Sequence, residues 1–185
     1  MKLNCESVRP FFMWLAVAVF AVLCSGCESP KKTADIDLDP QEVEGQLSLA
    51  YKYYLGEEIE FNPKRAAELF LKAAGQGNTE AQFALGCMYQ NGQGVTQNYM
   101  EAVKYYLQAA RQGHANAQYL LGLSYKEGSG VSRDMLESFK WLHLAAEQGI
   151  PEHIEARNHL ALLLTPDLVV EGKRRAVQFR EKELN

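Results

Sequence analysis

The residues in this chain that could do chemistry are few, and the first are two glycine turns, Gly92-Gln93-Gly94-Val95 and Gly128-Ser129-Gly130-Val131. Such turns can aim backbone N–H groups at a phosphate, but a phosphate loop also needs a preceding strand and a following Gly-Lys-Ser/Thr, and neither is present. Ser29-Pro30-Lys31-Lys32 fits the S-x-x-K pattern of an activated serine, yet neither Ser-Asp-Asn nor Lys-Thr-Gly occurs to complete it. Glu152, His153, Glu155 and His159 bring two ligand types together, with Glu155 and His159 one helical turn apart. No third ligand follows at a recognised spacing and H-E-x-x-H and C-x-x-C are missing, so these read as surface residues and no metal or cofactor is expected. His114 and His143 stand alone. Cys87 has no Lys, Arg or His at helical spacing to lower its pKa, which makes it a small packed or groove-lining residue rather than a reactive thiol.

The glycine turns recur at a spacing of 36 residues, and so does most of what surrounds them. Leu85-Gly86, Tyr89, Gly92, Gly94, Val95, Tyr105, Ala109-Ala110 and Gly113 match Leu121-Gly122, Tyr125, Gly128, Gly130, Val131, Trp141, Ala145-Ala146 and Gly149. Leu49, Tyr53, Gly56, Ala66, Ala73-Ala74 and Gly77 form an earlier copy. A loop built for one catalytic event is needed once, whereas a fixed period marks stacked structural units. Within each copy apolar residues return every three or four positions over two stretches, which predicts a helical hairpin. Gly92, Gly128, Gly113 and Gly149 stand where left-handed C-caps are wanted, while Gly86, Gly122 and the paired alanines remove bulk so that helices can approach. The copies are expected at about 45–78, 79–114 and 115–150, with a divergent cap at 151–185. In the cap, Ala156, Leu160, Ala161 and Leu164 repeat the first-helix pattern over 152–164, and Thr165-Pro166-Asp167 opens a charged final helix reaching about Leu184, with Glu171 four residues from Arg175.

The pattern L-G-x-x-Y, G-x-G-V, A-A and a closing Gly resembles the Sel-one-like repeat, a relative of the tetratricopeptide repeat. Two departures are Glu58 in place of the second G-x-G glycine of the first copy and Ser138 in place of the usual alanine. The resemblance implies an all-α, right-handed α/α solenoid that serves as an interaction scaffold, often in bacterial envelopes. It also raises β-lactam binding or hydrolysis, a property linked to cysteine-rich relatives with a bridge in each repeat. This chain lacks such cysteine pairs.

Ahead of the repeats, Lys2 and Arg9 precede an apolar run over 11–23 (FFMWLAVAVFAVL) that ends in small residues, as in a secretory signal peptide. Leu23-Cys24-Ser25-Gly26-Cys27 resembles a bacterial lipobox, with Cys24 where leucine is usual. That resemblance implies residues 1–26 as a lipoprotein-type signal, a diacylglyceryl thioether and an N-acyl chain on Cys27, and outer-membrane sorting from Glu28. The alternative is an ordinary cleaved signal and a soluble periplasmic or secreted protein. Residues 27–41 are polar and proline-bounded and read as a tether to a repeat domain at 42–185. Removal of the signal leaves 17 basic against 22 acidic residues and Cys87 as the lone internal thiol. An acidic chain of this kind excludes nucleic acid as a partner, and the domain must be held by its core rather than by disulfides.

A second stripe on the first helices lies about 200° from the Leu85 face at 100° per residue. It comprises Leu47, Tyr51 and Tyr54, then Phe83, Cys87 and Gln90, then Tyr119, Leu123 and Lys126. Two readings follow: the stripe floors a partner-binding groove edged by Gln90, Lys126 and Glu127, or it is buried between adjacent hairpins. The functional expectation is a lipid-anchored, periplasm-facing scaffold that binds a protein and performs no chemistry. The competing expectations are a cell-wall-related or β-lactam-binding enzyme and a structural subunit of a secretion or polysaccharide-export machine.

Overall fold

Asn62, Asn98 and Asp134 stand 36 residues apart, and each accepts a hydrogen bond on its side chain from the first turn of a helix. The same three residues donate their backbone N–H groups to the carbonyls of Tyr53, Tyr89 and Tyr125 at 2.9–3.0 Å, which closes the loop of each hairpin in the same way three times. The computed structural model describes residues 43–183. Among them are eight α-helices and no strand: α1 (Val43–Leu55), α2 (Pro63–Gly75), α3 (Thr79–Asn91), α4 (Tyr99–Arg111), α5 (Ala115–Glu127), α6 (Met135–Ala146), α7 (Pro151–Ala161) and α8 (Pro166–Glu183). None is long and apolar enough to cross a membrane. The expected signal at 1–26, the expected tether at 27–41 and Cys27 lie outside the described residues.

The helices pair as α1·α2, α3·α4 and α5·α6, and the hairpins stack through α2·α3, α4·α5 and α6·α7, giving the expected solenoid. Its core is a ladder of equivalent positions. Phe70, Tyr106 and Leu142, 36 residues apart, are fully buried, as are Leu85 and Leu121. Gly86 and Gly122 sit opposite this ladder: a Cβ on Gly86 would lie 2.4 Å from the Tyr106 ring, and one on Gly122 would lie 2.7 Å from Leu142. The paired alanines are buried in all three copies, so the small residues do set the helix spacing.

The second glycine of each G-x-G turn has a different neighbour. Gly94 and Gly130 hold φ near +71° and +74°, and a Cβ there would stand 2.1 Å from the Pro63 carbonyl oxygen or 2.2 Å from that of Tyr99. Each turn therefore seats on the backbone at the start of the preceding second helix. Glu58, which replaces this glycine in the first copy, keeps the left-handed conformation at φ 65° but has no earlier described helix to meet. It is exposed and pairs with Lys52 at 2.5 Å.

The terminal unit departs from the repeat. α7 stops at Ala161 instead of running to 164, and Leu162 and Leu163 turn out to solvent. Pro166 keeps α7 from running on into α8, because a proline disfavours helical geometry in the residue before it. α8 packs chiefly against α6. Gly172 brings it close enough that a Cβ would lie 2.5 Å from the Phe139 ring, and Phe179 meets Trp141 edge-on at 4.9 Å. Ion pairs Arg175–Glu137 and Arg180–Glu147, both 3.0 Å, flank that contact. Glu171 does accept from Arg175 (3.1 Å), and from Arg174, and these guanidinium bonds hold its carboxyl down at about 2.

Gly130→Ala should cost more than about 3 kcal/mol, since it adds a backbone collision to left-handed strain, whereas Gly113→Ala, with open space at its Cβ, should cost about 1–2 kcal/mol. Ser138 is buried without a partner for its hydroxyl where Ala66 and Ala102 stand in the other copies, so Ser138→Ala should raise stability by about 1 kcal/mol. Urea denaturation followed by circular dichroism ranks all three; equal losses for the two glycine variants would contradict the seating contact.

Candidate functional site

The second stripe divides. Phe83 (2% exposed), Cys87 (4%), Gln90 (7%) and Leu123 (8%) are buried, so they do not floor an open groove, and for them the reading of burial between hairpins is the correct one. The covering groups come from helices on either side. Phe83 stacks on His114, the N-cap of α5, with centroids 4.4 Å apart. The Tyr106 hydroxyl donates to Gln90 Oε1 at 2.7 Å and lies 3.7 Å from Cys87 Sγ. Leu47, Tyr51, Tyr54, Tyr119 and Lys126 remain half-buried and Glu127 is exposed. What faces solvent is thus an aromatic edge, in which Tyr54 donates to Gln93 Oε1 at 2.7 Å.

Behind that edge a polar chain ties the repeats together. Tyr51 donates to Glu80 Oε1 at 2.8 Å, and Glu80 Oε2 lies 3.2 Å from His114 Nε2. The Ala117 N–H donates to His114 Nδ1 at 3.1 Å, which assigns the proton to Nε2 and makes His114 the donor to Glu80. The His114 bond lowers the Glu80 carboxyl pKa against the opposing effect of burial, with the Tyr51 bond adding to it. Burial, followed by the charge of Glu80, raises the Tyr51 phenol far above its ordinary value. Every group in this chain already has its hydrogen-bond role, so it orients side chains and holds no activated nucleophile.

One copy further on the arrangement changes. Tyr119 donates to Glu152 Oε1 at 3.3 Å, and its phenol is pushed up to about 12 by burial and then by Glu152. Its ring stacks on His153 at 4.6 Å. His153 is 2% exposed, not the surface residue expected from its charged neighbours, because α7 turns it inward under Tyr119. Its Nδ1 is buried without a hydrogen-bond partner. Burial lowers its pKa below 6.5, and burial also lowers that of His143, which lies beside Arg157 (3.4 Å) and Glu147 (3.8 Å). Glu155 and His159 are exposed, as expected. Among the described residues no group of three or more His, Cys, Asp or Glu side chains is placed to hold a metal.

A second polar system escaped the sequence reading. Gln76, Gln112 and Gln148 each donate from Nε2 to Oε1 of Gln46, Gln82 and Gln118 at 3.3, 2.7 and 3.0 Å. Gln82 and Gln118 in turn donate to the carbonyls of Ala74 and Ala110, in the preceding copy, at 3.4 and 3.1 Å. These amides satisfy carbonyls near the helix C-termini that would otherwise be buried without donors. The signal was the period of 36 in glutamine itself.

The Sel1 repeat profile matches residues 43–78, 79–114 and 115–150. Among solved structures, the chain is similar to a protective antigen present in uropathogenic Escherichia coli strains that displays an SLR fold, with 38% identity and a TM-score of 0.66 over 76% of this chain and 31% of that one. It is similar also to a Sel1 repeat protein from Oxalobacter formigenes, with 34% identity and a TM-score of 0.64 over 82% of this chain and 60% of that one. Cysteine rich protein B of Helicobacter pylori shares the fold at 21% identity and a TM-score of 0.52, over 63% of this chain and 98% of that one. The chain thus spans less than two thirds of the length of the first two structures. No curated protein matches it.

Because burial depresses the His153 and His143 pKa values, the folded protein binds fewer protons than the unfolded chain near pH 6. The stability they permit is fully present above about pH 6.5 and is lost as the pH falls toward their folded values. His153→Phe keeps a ring under Tyr119 and should flatten the drop in urea midpoint between pH 7.5 and 5.5, leaving the His143 share; an unchanged slope would contradict the assignment. Gln118→Met strips Gln148 of an acceptor and Ala110 of a donor and should cost about 1–3 kcal/mol in the same assay.

Proposed function

The chain belongs to the Sel1 repeat family, and from that premise we propose that it is a lipid-anchored scaffold of the bacterial envelope that recruits a protein partner to the membrane surface. Sel1-repeat proteins are generally non-catalytic protein-interaction scaffolds, which supports the binding half of this reading. The observation that carries it is the tyrosine edge that reaches solvent on the first helices of the first and third copies: Tyr51 and Tyr54 on α1, and Tyr119 with Lys126 on α5. Tyrosine presents a large, rigid contact area with a polar tip at small entropic cost, and it is enriched where interfaces concentrate their energy. The hydrogen bonds that already fix Tyr51 and Tyr119 mean that little order remains to be imposed on binding.

The envelope half rests on the sequence ahead of the repeats. The apolar run at 11–23 and the Cys27 motif support export and lipidation, with the acyl chains in the outer membrane and the repeats facing the periplasm. About 14 residues of polar tether would let the repeats ride roughly 20 Å from the bilayer. The description of one relative as a protective antigen is in keeping with that location.

Two measurements test the two halves separately. Cys27→Ser should move the protein from the membrane fraction to the soluble periplasm, and retention in the membrane would contradict the anchor. A protein that co-purifies with the full chain in fixed ratio should be lost, with the helical circular dichroism retained, in Tyr54→Ala/Lys126→Glu, a pair that spares the Tyr119–His153 stack. Undiminished recovery from that variant would remove the aromatic edge from consideration.

A further inference from the structure

At the first junction between repeats, an open depression of about 570 Å³ lies between the end of α2 and the face of α4. None of the residues proposed above as the partner edge lines it. One lining position, Gly75, sets it apart from the later copies. Gly75 closes α2, and open space surrounds the place where its Cβ would be. The residues 36 and 72 positions further on are Arg111 and Glu147, so the following copies carry a long side chain where this one has none.

The depression has a sign. Lys104 and Arg111 stand at its rim, and no Asp or Glu lines it. The chain as a whole is acidic, at −4, so this is charge placed against the trend. Glu101 pairs with Lys104 from the same helix at 3.1 Å, and both ends of that pair are solvent-exposed enough for water and salt to weaken it. Arg111 forms no ion pair among the described residues and is exposed. Lys104 also lies 5.7 Å above the Tyr105 ring, which holds it at the mouth.

The remaining walls suit a peptide more than a small anion. Leu71 is 42% exposed, and Tyr105 is fixed by stacking on Tyr89 at 5.6 Å, so an aliphatic side chain has two apolar surfaces to cover. Gln112 is held on both sides, accepting from the Thr79 hydroxyl at 2.8 Å and donating to Gln82 at 2.7 Å. The α2 carbonyls at this end are already taken, Ala73 by the N–H groups of Gln76 and Asn78 and Ala74 by those of Gly77 and the Gln82 amide, so the selectivity of the site comes from α4. A site with two cations beside an apolar shelf fits a peptide that carries an acidic side chain next to an aliphatic one.

We propose that this depression docks an acidic segment of a protein partner, with one Asp or Glu side chain held by Arg111 and Lys104 and a neighbouring aliphatic side chain seated on Leu71 and Tyr105. The docking site is distinct from the first-helix edge, and its failure would leave that reading standing.

The repeat supplies the test variant. Gly75→Glu places at the depression the residue that the third copy carries at the equivalent position, with no neighbour for its Cβ to strike and a charge that repels an acidic ligand. The full chain, purified in dodecyl maltoside, is titrated into fluorescein-labelled octapeptide pools with Glu fixed at one position among Leu, Val and Ser, and into the same pools with Lys fixed instead. Anisotropy should report binding of the glutamate pools alone, weakened by added salt. Gly75→Glu and Arg111→Glu should each weaken it at least tenfold while melting as the parent does. Equal binding of both pools, no binding of the glutamate pools, or full binding by folded Gly75→Glu would each overturn the proposal.

Discussion

Wherever one hairpin seats on the one before it, a glycine in left-handed conformation leaves room for a carbonyl oxygen that a single methyl group would strike. Gly94 over Pro63 and Gly130 over Tyr99 are the two instances, and the rest of the repeat geometry follows from them. With the turn of one copy pressed on the second helix of its predecessor, the glutamines of the first helices reach back to the Ala74 and Ala110 carbonyls. The same spacing lets Glu80 bridge Tyr51 and His114, residues from three successive first-helix units. Glu58 marks the limit of the rule: where no described second helix precedes, the position keeps its backbone conformation and admits a side chain.

That spacing also decides which surfaces are left for function. Hairpins this close bury Phe83, Cys87, Gln90 and Leu123 between them, and of the stripe only the edges of Leu47, Tyr51, Tyr54, Tyr119 and Lys126 reach solvent. A repeat protein diversifies by substitution at positions the stacking does not use. Here those are the solvent edge of the first helices and the position at the C-terminal end of each second helix, where Gly75, Arg111 and Glu147 differ although the residues around them repeat. Function in such a chain is a matter of which copies depart from the consensus and where.

Much of this was legible in the residue types. A period of 36 with helical spacing inside it required hairpins, and Gly92 and Gly128 took the left-handed C-caps that their place in the pattern demanded. The paired alanines and Gly86 and Gly122 announced close helix approach. The stripe was harder because a helical wheel gives an angle around one helix and says nothing of which neighbour covers that angle. His153 was misread for the same reason: its charged neighbours in sequence suggested solvent, while the ring that buries it, Tyr119, is 34 residues away. The glutamine ladder was visible as a period, but its bonds join residues 30 apart, and no local rule pairs them. Docking of α8 on α6 turns on Gly172, which has no counterpart in the repeat to flag it.

The central claim is that the first-helix edge meets a protein at the membrane surface, and the most direct test is photo-cross-linking in living cells. A probe amino acid is placed at Tyr54 and Lys126 of the full chain, with Lys173 on the exposed side of α8 as control, and membrane-fraction adducts are identified by mass spectrometry. The account predicts one discrete protein adduct shared by Tyr54 and Lys126 and absent at Lys173. The same adducts at all three positions, or none at Tyr54 and Lys126 with the protein abundant and folded, would contradict it.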